Sequence, residues 1–435
     1  MINNDRSRLH AYNIVLKYEF SQQQLKSVRQ QYFNENRLSF KERNRSMALS
    51  NEVIRWKRTL DEWISKSLKK PIKKLPLDVL CILRLGYYEY VIDDFVPVHA
   101  AVDTWVELSK KLNNKKISGL INAVLRKAQH IKKDTFEDQK SIGSQFSFQD
   151  WMVENWIEKY GRLKTIELCN YLNNTHEVDL RVDITNVDIK NLLDEKQIKW
   201  RYSPFSKNFI RIKSGLGKLL SSTIYSNGKI FVQDRAAGAV VELLDPLPGE
   251  VVLDVCAAPG TKSIYIHEKM KGEGRLFSFD VNQSKVNKAL LQAKELGLDI
   301  NWQKMDATID DYPKADKILI DAPCSGTGVI ARKPDIKWRR NFEDIRKFTS
   351  LQNKIINNVS RFLKKNGVII YATCSLEEQE NWNVVSSFLK FNPNFKLESV
   401  ERKIPEQWMN SNKCLETFPP RDNVDGMFAA KIRKC

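Results

Sequence analysis

Two of the chain's seven cysteines end strand-like apolar runs: Cys324 in "ILIDAPCSGTGVI" (318–330) and Cys374 in "GVIIYATCS" (367–375). A thiol becomes a strong nucleophile once it ionises. Two thiols at one mouth can divide a difficult substitution, one attacking covalently while the other moves a proton. Spacing alone does not rank the two. The plainer reading, a pair of thiols packing a core, sits badly with the Pro-Cys-Ser-Gly and Thr-Cys-Ser turns around them. An odd count without Cys-x-x-Cys pairs fits neither a disulfide framework nor a zinc site, so no metal is expected. Cys81, Cys169, Cys414 and Cys435 read as small buried hydrophobes.

A third chemistry-bearing stretch, "DVCAAPGTKS" (254–263), follows an apolar run as a ligand loop would. A phosphate-binding P-loop needs glycines where Thr261 and Cys256 stand, and a dinucleotide loop needs a G-x-G-x-x-G that is missing, so both fail. Acidic residues end the runs that come next, at Asp280, Asp306 and Asp321. Asp280, roughly 20 residues beyond the loop, stands where a carboxylate can bind ribose hydroxyls. One such Asp reads as a turn or helix cap; three on successive strands read as a site. No basic cluster accompanies the loop to neutralise a pyrophosphate, so the expected ligand is a nucleoside without phosphates, which S-adenosylmethionine satisfies.

Residues 1–132 space apolar side chains at three and four, as in "HAYNIVLKYEF", "LDVLCILRLGYYEYVI" and "VHAAVDTWVELSKKL", which predicts an all-α bundle punctuated by Pro71, Pro76 and Pro97. A polar stretch over 132–145 reads as a linker. Residues 146–245 mix helical patterns with short β-like runs ("DLRVDIT", "IKWRYS", "FIRIKS"), an α+β module without a catalytic constellation. From 246 to 435 short apolar strands alternate with helical segments, which predicts a parallel, doubly wound α/β sheet. "VDGMFAAKIRK" is expected as its last edge strand.

The chain carries 71 Lys+Arg against 53 Asp+Glu, a net charge of +18, and residues 1–74 alone hold 17 against 7. Such an excess suggests a polyanion, most often nucleic acid, although a lysine-rich genome produces a similar balance. No run approaches the ~18 apolar residues of a membrane span. The N-terminus lacks the apolar core of a signal peptide, so a cytoplasmic protein without membrane association is expected. In "ARKPDIKWRR" (331–340), Arg332, Lys333, Lys337, Arg339 and Arg340 surround Trp338 directly after the Cys324 loop. That pattern suggests phosphate contact with a stacking aromatic; a solvated basic loop is the alternative.

In order, "LDVCAAPGTK", "FSFDVNQSKV", "KMDAT", "DAPCSGTGVIARKPDIKW", "YATCSLEEQEN" and "PPRDNVDGMFAAKI" resemble the motifs of the RNA cytosine-5 methyltransferases, most closely the bacterial ribosomal group known as RsmB. "VPVHAAVDTWVELSKKL" and "SGLINAVLRK" resemble its NusB-like helical domain. The resemblance implies an RNA-binding NusB-like bundle (1–132), a linking or RNA-recognition module (146–245) and a Rossmann-like S-adenosylmethionine-dependent domain (246–435). It implies methylation of carbon 5 of a cytosine in 16S rRNA, or in a small-subunit precursor, by a monomer. Cys374 would be the nucleophile and Cys324 the releasing group. Cys256, Ala257, Ala258, Pro259, Gly260, Thr261 and Lys262 would form the cofactor loop. Asp280 would hold the ribose, Asp306 the adenine side, and Asp321 would lie near both cofactor and base, a catalytic position from which a protonated or proton-sharing carboxyl could stabilise charge developing at ring nitrogen 3. The sequence departs from the family pattern at Thr261, usually glycine, at Lys285, a cofactor-side position where arginine is common, at Met427 of "DGMF", and at "SFQDW" (147–151), which lacks a proline.

Three other readings share these features. The same chemistry on transfer RNA fits the motifs equally. An RNA-binding or antitermination factor would keep the helical bundle but has no use for two cysteines and an acidic series. A DNA methyltransferase would place its nucleophile in a Pro-Cys motif such as "APCS", reversing the cysteine roles.

Overall fold

The computed structural model describes residues 3–93, 98–112, 114–128, 131, 141–182, 187–206, 208–220, 222, 225, 227–401 and 403–435. The chain divides into two compact units, one of Met1–Asn173 with Arg332–Arg339, the other of Asn174–Ala331 with Arg340–Cys435. Pro97, and the expected linker up to residue 140, lie outside the described residues. Among the described residues no helix is long and apolar enough to cross a membrane.

The first unit is helical throughout, as the three-and-four spacing predicts for 1–132, and it also takes in helices Asp150–Tyr160 and Arg162–Asn173 from the stretch assigned above to the α+β module. Helix Phe40–Arg55 starts at a capping box in which Ser39 and Glu42 exchange side-chain and backbone hydrogen bonds, satisfying amides that a helix start leaves open. Pro76 caps Leu77–Tyr87, where the missing N–H costs nothing. Ile14, Leu49, Val53, Trp63, Leu83, Trp105 and Leu125 are buried in its core. Beside them Glu89, itself buried, accepts from Arg8 Nε at 2.6 Å, Arg45 at 2.5 Å and Trp105 Nε1 at 2.7 Å. At "SFQDW", Ser147 adopts a left-handed conformation and its Oγ accepts from Arg58 N at 3.0 Å, closing the start of helix Lys57–Ser67.

Lys337 and Trp338 correct the RNA-contact reading of the basic loop, whereas Arg332 and Lys333 of the same loop are exposed. Lys337 is fully buried, and its Nζ donates to Asn173 Oδ1 at 2.5 Å and Arg55 O at 3.2 Å while lying over the Phe148 ring. Trp338 Nε1 donates to Ile54 O at 2.6 Å, and Asp335 accepts from Leu25 N at 3.2 Å. Burial, then the nearby Arg55 charge, push the Lys337 amine well below its ordinary value. These side chains hold the first unit together and are not presented to a phosphate backbone.

The second unit contains two sheets. The smaller is antiparallel, in the order β2 (Lys199–Tyr202), β3 (Phe209–Ser214), β1 (Val178–Val182), β4 (Ile230–Val232). It is pinned by Asp179, which accepts from Arg211 Nε at 2.8 Å and Arg235 Nε at 3.1 Å. The larger comprises β5 (Val251–Asp254), β6 (Arg275–Asp280), β7 (Asn301–Lys304), β8 (Ala315–Asp321), β9 (Leu363–Thr373), β10 (Phe395–Glu398), β11 (Leu415–Glu416) and β12 (Phe428–Lys434). Its path runs β10-β12-β9-β8-β5-β6-β7, with β11 also on β12. Strands β5 to β9 pair in parallel, whereas β12 runs antiparallel to β9 and β10. The sheet is therefore mixed, and β12 is not at its edge, because β10 covers its outer side. From β5 the chain builds outward to β7, then returns to place β8 on the other flank of β5. This reversal opens a crevice at the carboxyl ends of β5 and β8, where open α/β sheets bind ligands.

Candidate active site

The loop after β5 is tied down by backbone bonds from Val255 N to Leu319 O (3.1 Å) and Ala257 N to Phe279 O (2.8 Å). Gly260 turns it into helix Thr261–Lys269 with φ +107°, and a Cβ there would approach the Trp302 ring at 3.0 Å. Glycine is required at that turn on both counts. Thr261, where the family usually has glycine, is already helical and accommodates any L side chain. Ala258 and Pro259 complete the turn.

Asp254 lies beneath this loop. Ser263 Oγ donates to its Oδ2 at 2.7 Å, whereas Oδ1 is buried without a hydrogen bond. Burial, with help from Asp321 and Asp280, raises its carboxyl to about 7 despite the Ser263 bond. The Cys256 thiol is pushed up by burial and then by Asp254, Asp321, Asp280 and Asp306. Four carboxylates thus converge on one loop. Asp280 ends β6, is almost wholly buried, and accepts from Asn282 N through Oδ1 at 2.9 Å. Asp306 stands two residues past β7, held below the usual carboxylate range by the Thr308 hydroxyl and amide. Lys285 occupies the first turn of helix Gln283–Glu295 with its side chain exposed. Among the described residues no group of three or more His, Cys, Asp or Glu could hold a metal.

Strands β8 and β9 run in parallel register, with Asp321 opposite Ala372, and deliver both cysteines to the same place. Cys324 Sγ lies 3.5 Å from Cys374 Sγ. The hydrogen bond to Cys374, then burial and the charges of Cys374 and Glu380, push the Cys324 thiol well above its ordinary value. Lys262 Nζ donates to Asp321 Oδ2 at 2.6 Å. Burial opposes the Lys262 charge, but Asp321 and then Cys374 outweigh it and raise its amine. The arrangement suits one thiol that keeps its proton beside one thiolate with an ammonium at hand. Cys81, Cys169 and Cys414 are buried as expected, whereas Cys435 is exposed.

Sequence reasoning passed over Asp254, Ser263, Ser325, Ser375 and Glu380. Asp254 was visible as the acid closing the first strand. Glu380 was hidden among the acids of "SLEEQEN", where nothing in the spacing separates it from Glu377 or Glu378.

A profile of the 16S rRNA methyltransferase RsmB/F family matches residues 241–433, and one of the NusB family matches 5–130. A probable ribosomal RNA small subunit methyltransferase B of Synechocystis sp. is 31% identical over 396 residues, covering 88% of this chain and 89% of the relative. One of Bacillus subtilis is 30% identical over 440 residues, covering 98% of each chain. The crystal structure of PH0851 superposes with a TM-score of 0.81 at 21% identity over 99% of both chains. A methyltransferase homolog protein from Pyrococcus horikoshii gives 0.57 at 24% identity, over 68% of this chain and 98% of its own. A NusB-like helical domain thus precedes a Rossmann-like methyltransferase domain, and the chain belongs to the ribosomal RNA small subunit methyltransferase B family.

Proposed function

We propose that the protein transfers a methyl group from S-adenosylmethionine to carbon 5 of a cytosine in 16S rRNA through a covalent Cys374–cytosine intermediate. The observation that carries this reading is the pair of sulfurs 3.5 Å apart, one of them holding its proton tightly. The residues fit the cofactor: Asp280 at the carboxyl end of β6 suits a ribose, and the unanswered Oδ1 of Asp254 suits a donor at the loop. Cys256 to Lys262 would wrap the bound molecule, with Asp306 at its far side and Lys285 at its rim. When bound, S-adenosylmethionine supplies an electrophilic methyl group.

Carbon 5 of cytosine is a poor nucleophile until the ring is activated. Attack of the Cys374 thiolate on carbon 6 forms a C–S bond and moves the ring's π electrons toward carbon 5, which then takes the methyl. Lys262, held by Asp321, favours the thiolate that begins this step. Once Cys374 is bonded to carbon, Cys324 loses the thiolate partner that had raised its pKa. It can then yield its proton to solvent and accept the one on carbon 5, and the electrons released re-form the ring double bond and expel Cys374. Such chemistry needs a base that is unstacked from its neighbours.

The test mixes purified protein with small-subunit rRNA and methyl-labelled S-adenosylmethionine. Wild type should yield 5-methylcytosine, Cys374→Ala none, and Cys324→Ala a protein–RNA adduct stable in denaturing gels. An adduct trapped by Cys374→Ala instead would reverse the roles. Transfer to transfer RNA alone would replace the substrate.

A further inference from the structure

The sheet ladder between β8 and β9 ends at Asp321 and Ala372, so it does not itself fix the two turns that carry the sulfurs. Gly328 N donates to Cys374 O at 3.0 Å and Leu376 N to Thr327 Oγ1 at 2.9 Å, and one carboxylate joins the residues next to the two cysteines. Glu380 is fully buried, and its Oε1 accepts from Ser325 N at 2.8 Å and from Gln352 Nε2 at 3.0 Å. Its Oε2 accepts from Ser375 Oγ at 2.6 Å and from Ser325 Oγ. The two hydroxyls are themselves 3.0 Å apart, and Glu380 O accepts from Tyr371 OH at 2.7 Å. Ser325 directly follows Cys324, and Ser375 directly follows Cys374. A carboxylate with four donors is a rigid node, because each bond to a charged acceptor is short and strong.

We propose that Glu380 is a positioning residue that clamps the Cys324 and Cys374 turns together and so sets the distance between the two sulfurs. Neither carboxylate oxygen is exposed for substrate, which separates this role from catalysis proper. The clamp rests on the proposed function for its purpose, but its geometry does not depend on it. Glutamine fits the same node, since serine hydroxyls can reverse and accept from its amide nitrogen, whereas alanine leaves four donors unanswered.

The experiment uses the full chain and two readouts. In the first, diamide oxidises the two thiols to a disulfide while being reduced to its hydrazine, and the Cys324–Cys374 linkage is followed by peptide mass spectrometry. Wild type and Glu380→Gln should pair quickly. Glu380→Ala, and Ser325→Ala, which keeps three of the four donors, should pair more slowly by about tenfold. In the second, Glu380→Ala should lower kcat by about a hundredfold, with the Kd for S-adenosylmethionine unchanged and the covalent RNA adduct accumulating. Equal pairing rates in wild type and Ser325→Ala, or in a folded Glu380→Ala, would overturn the clamp whatever the substrate proves to be. Slowed pairing without methylation in any variant would keep the clamp and remove the proposed reaction. If Glu380→Ala does not fold, Ser325→Ala alone decides.

Discussion

At Asp254 burial has lifted the carboxyl to about 7 while Oδ1 finds no donor, so ionising it in place is costly. An acid whose pKa is higher folded than unfolded favours the native state only while protonated. Its contribution is therefore fully present below the unfolded value near 4 and is lost as pH rises toward 7. Denaturant unfolding of wild type should show stability falling across that window, by up to roughly 4 kcal/mol from this group. Asp254→Asn should flatten the profile, since an amide keeps the Ser263 bond without a charge to desolvate. At Lys262 the prediction concerns reactivity. Lys262→Met removes the ammonium that favours a Cys374 thiolate, and alkylation of Cys374 by iodoacetamide at pH 7 should slow by about tenfold. Much of this site was legible as residue types in order, because the small-residue loop and the two thiols each end an apolar run. Which carboxylate sits in the dark and which in water was not, because burial is decided by chain segments far away in sequence.

Among the elements, the turn after β8 is held by a contact only glycine allows. Gly328 N donates to Cys374 O at 3.0 Å, and Gly426 N donates to Gly328 O at 2.9 Å. A Cβ on Gly328 would stand 2.0 Å from Gly426 O, a backbone atom that cannot swing aside. Gly328→Ala should therefore displace the Cys324 turn, costing stability on the order of 2 kcal/mol and most of the activity, as thermal unfolding and the methylation assay would show. Segment 332–339 offers a contrasting prediction. Lys337→Met removes the donor to Arg55 O and Asn173 Oδ1, which should cost about 2 kcal/mol in urea unfolding. RNA affinity should be unchanged, since that amine is not at the surface. Lys337 and Trp338 read together with the exposed Arg332 and Lys333 as one nucleic-acid surface because composition reports charge but not depth. Strand and helix periodicity served better: β5 to β9 and the bundle helices follow from it. The place of β12 inside the sheet did not, since an antiparallel strand and an edge strand read alike along the chain.

For the whole molecule the excess of positive charge has a direct consequence in salt. Each phosphate contacted releases condensed counterions, so with about five contacts a threefold rise in salt should weaken RNA binding roughly fiftyfold. A filter-binding series from 0.1 M upward, as an order of magnitude, reads the slope, and a flat response would show that the charge is a genomic bias and not a binding surface. The division of the chain bears on something else, the order of events during synthesis. The first unit includes Arg332–Arg339, whose Lys337 and Trp338 side chains donate to its buried Asn173 Oδ1 and Ile54 O. Residues 1–173 leave the ribosome well before that segment exists. At about 5–20 residues per second the nascent bundle waits on the order of ten seconds with its last piece untranslated. A gene split after residue 173 would leave the first product without part of its own interior until the second product supplied residues 332–339.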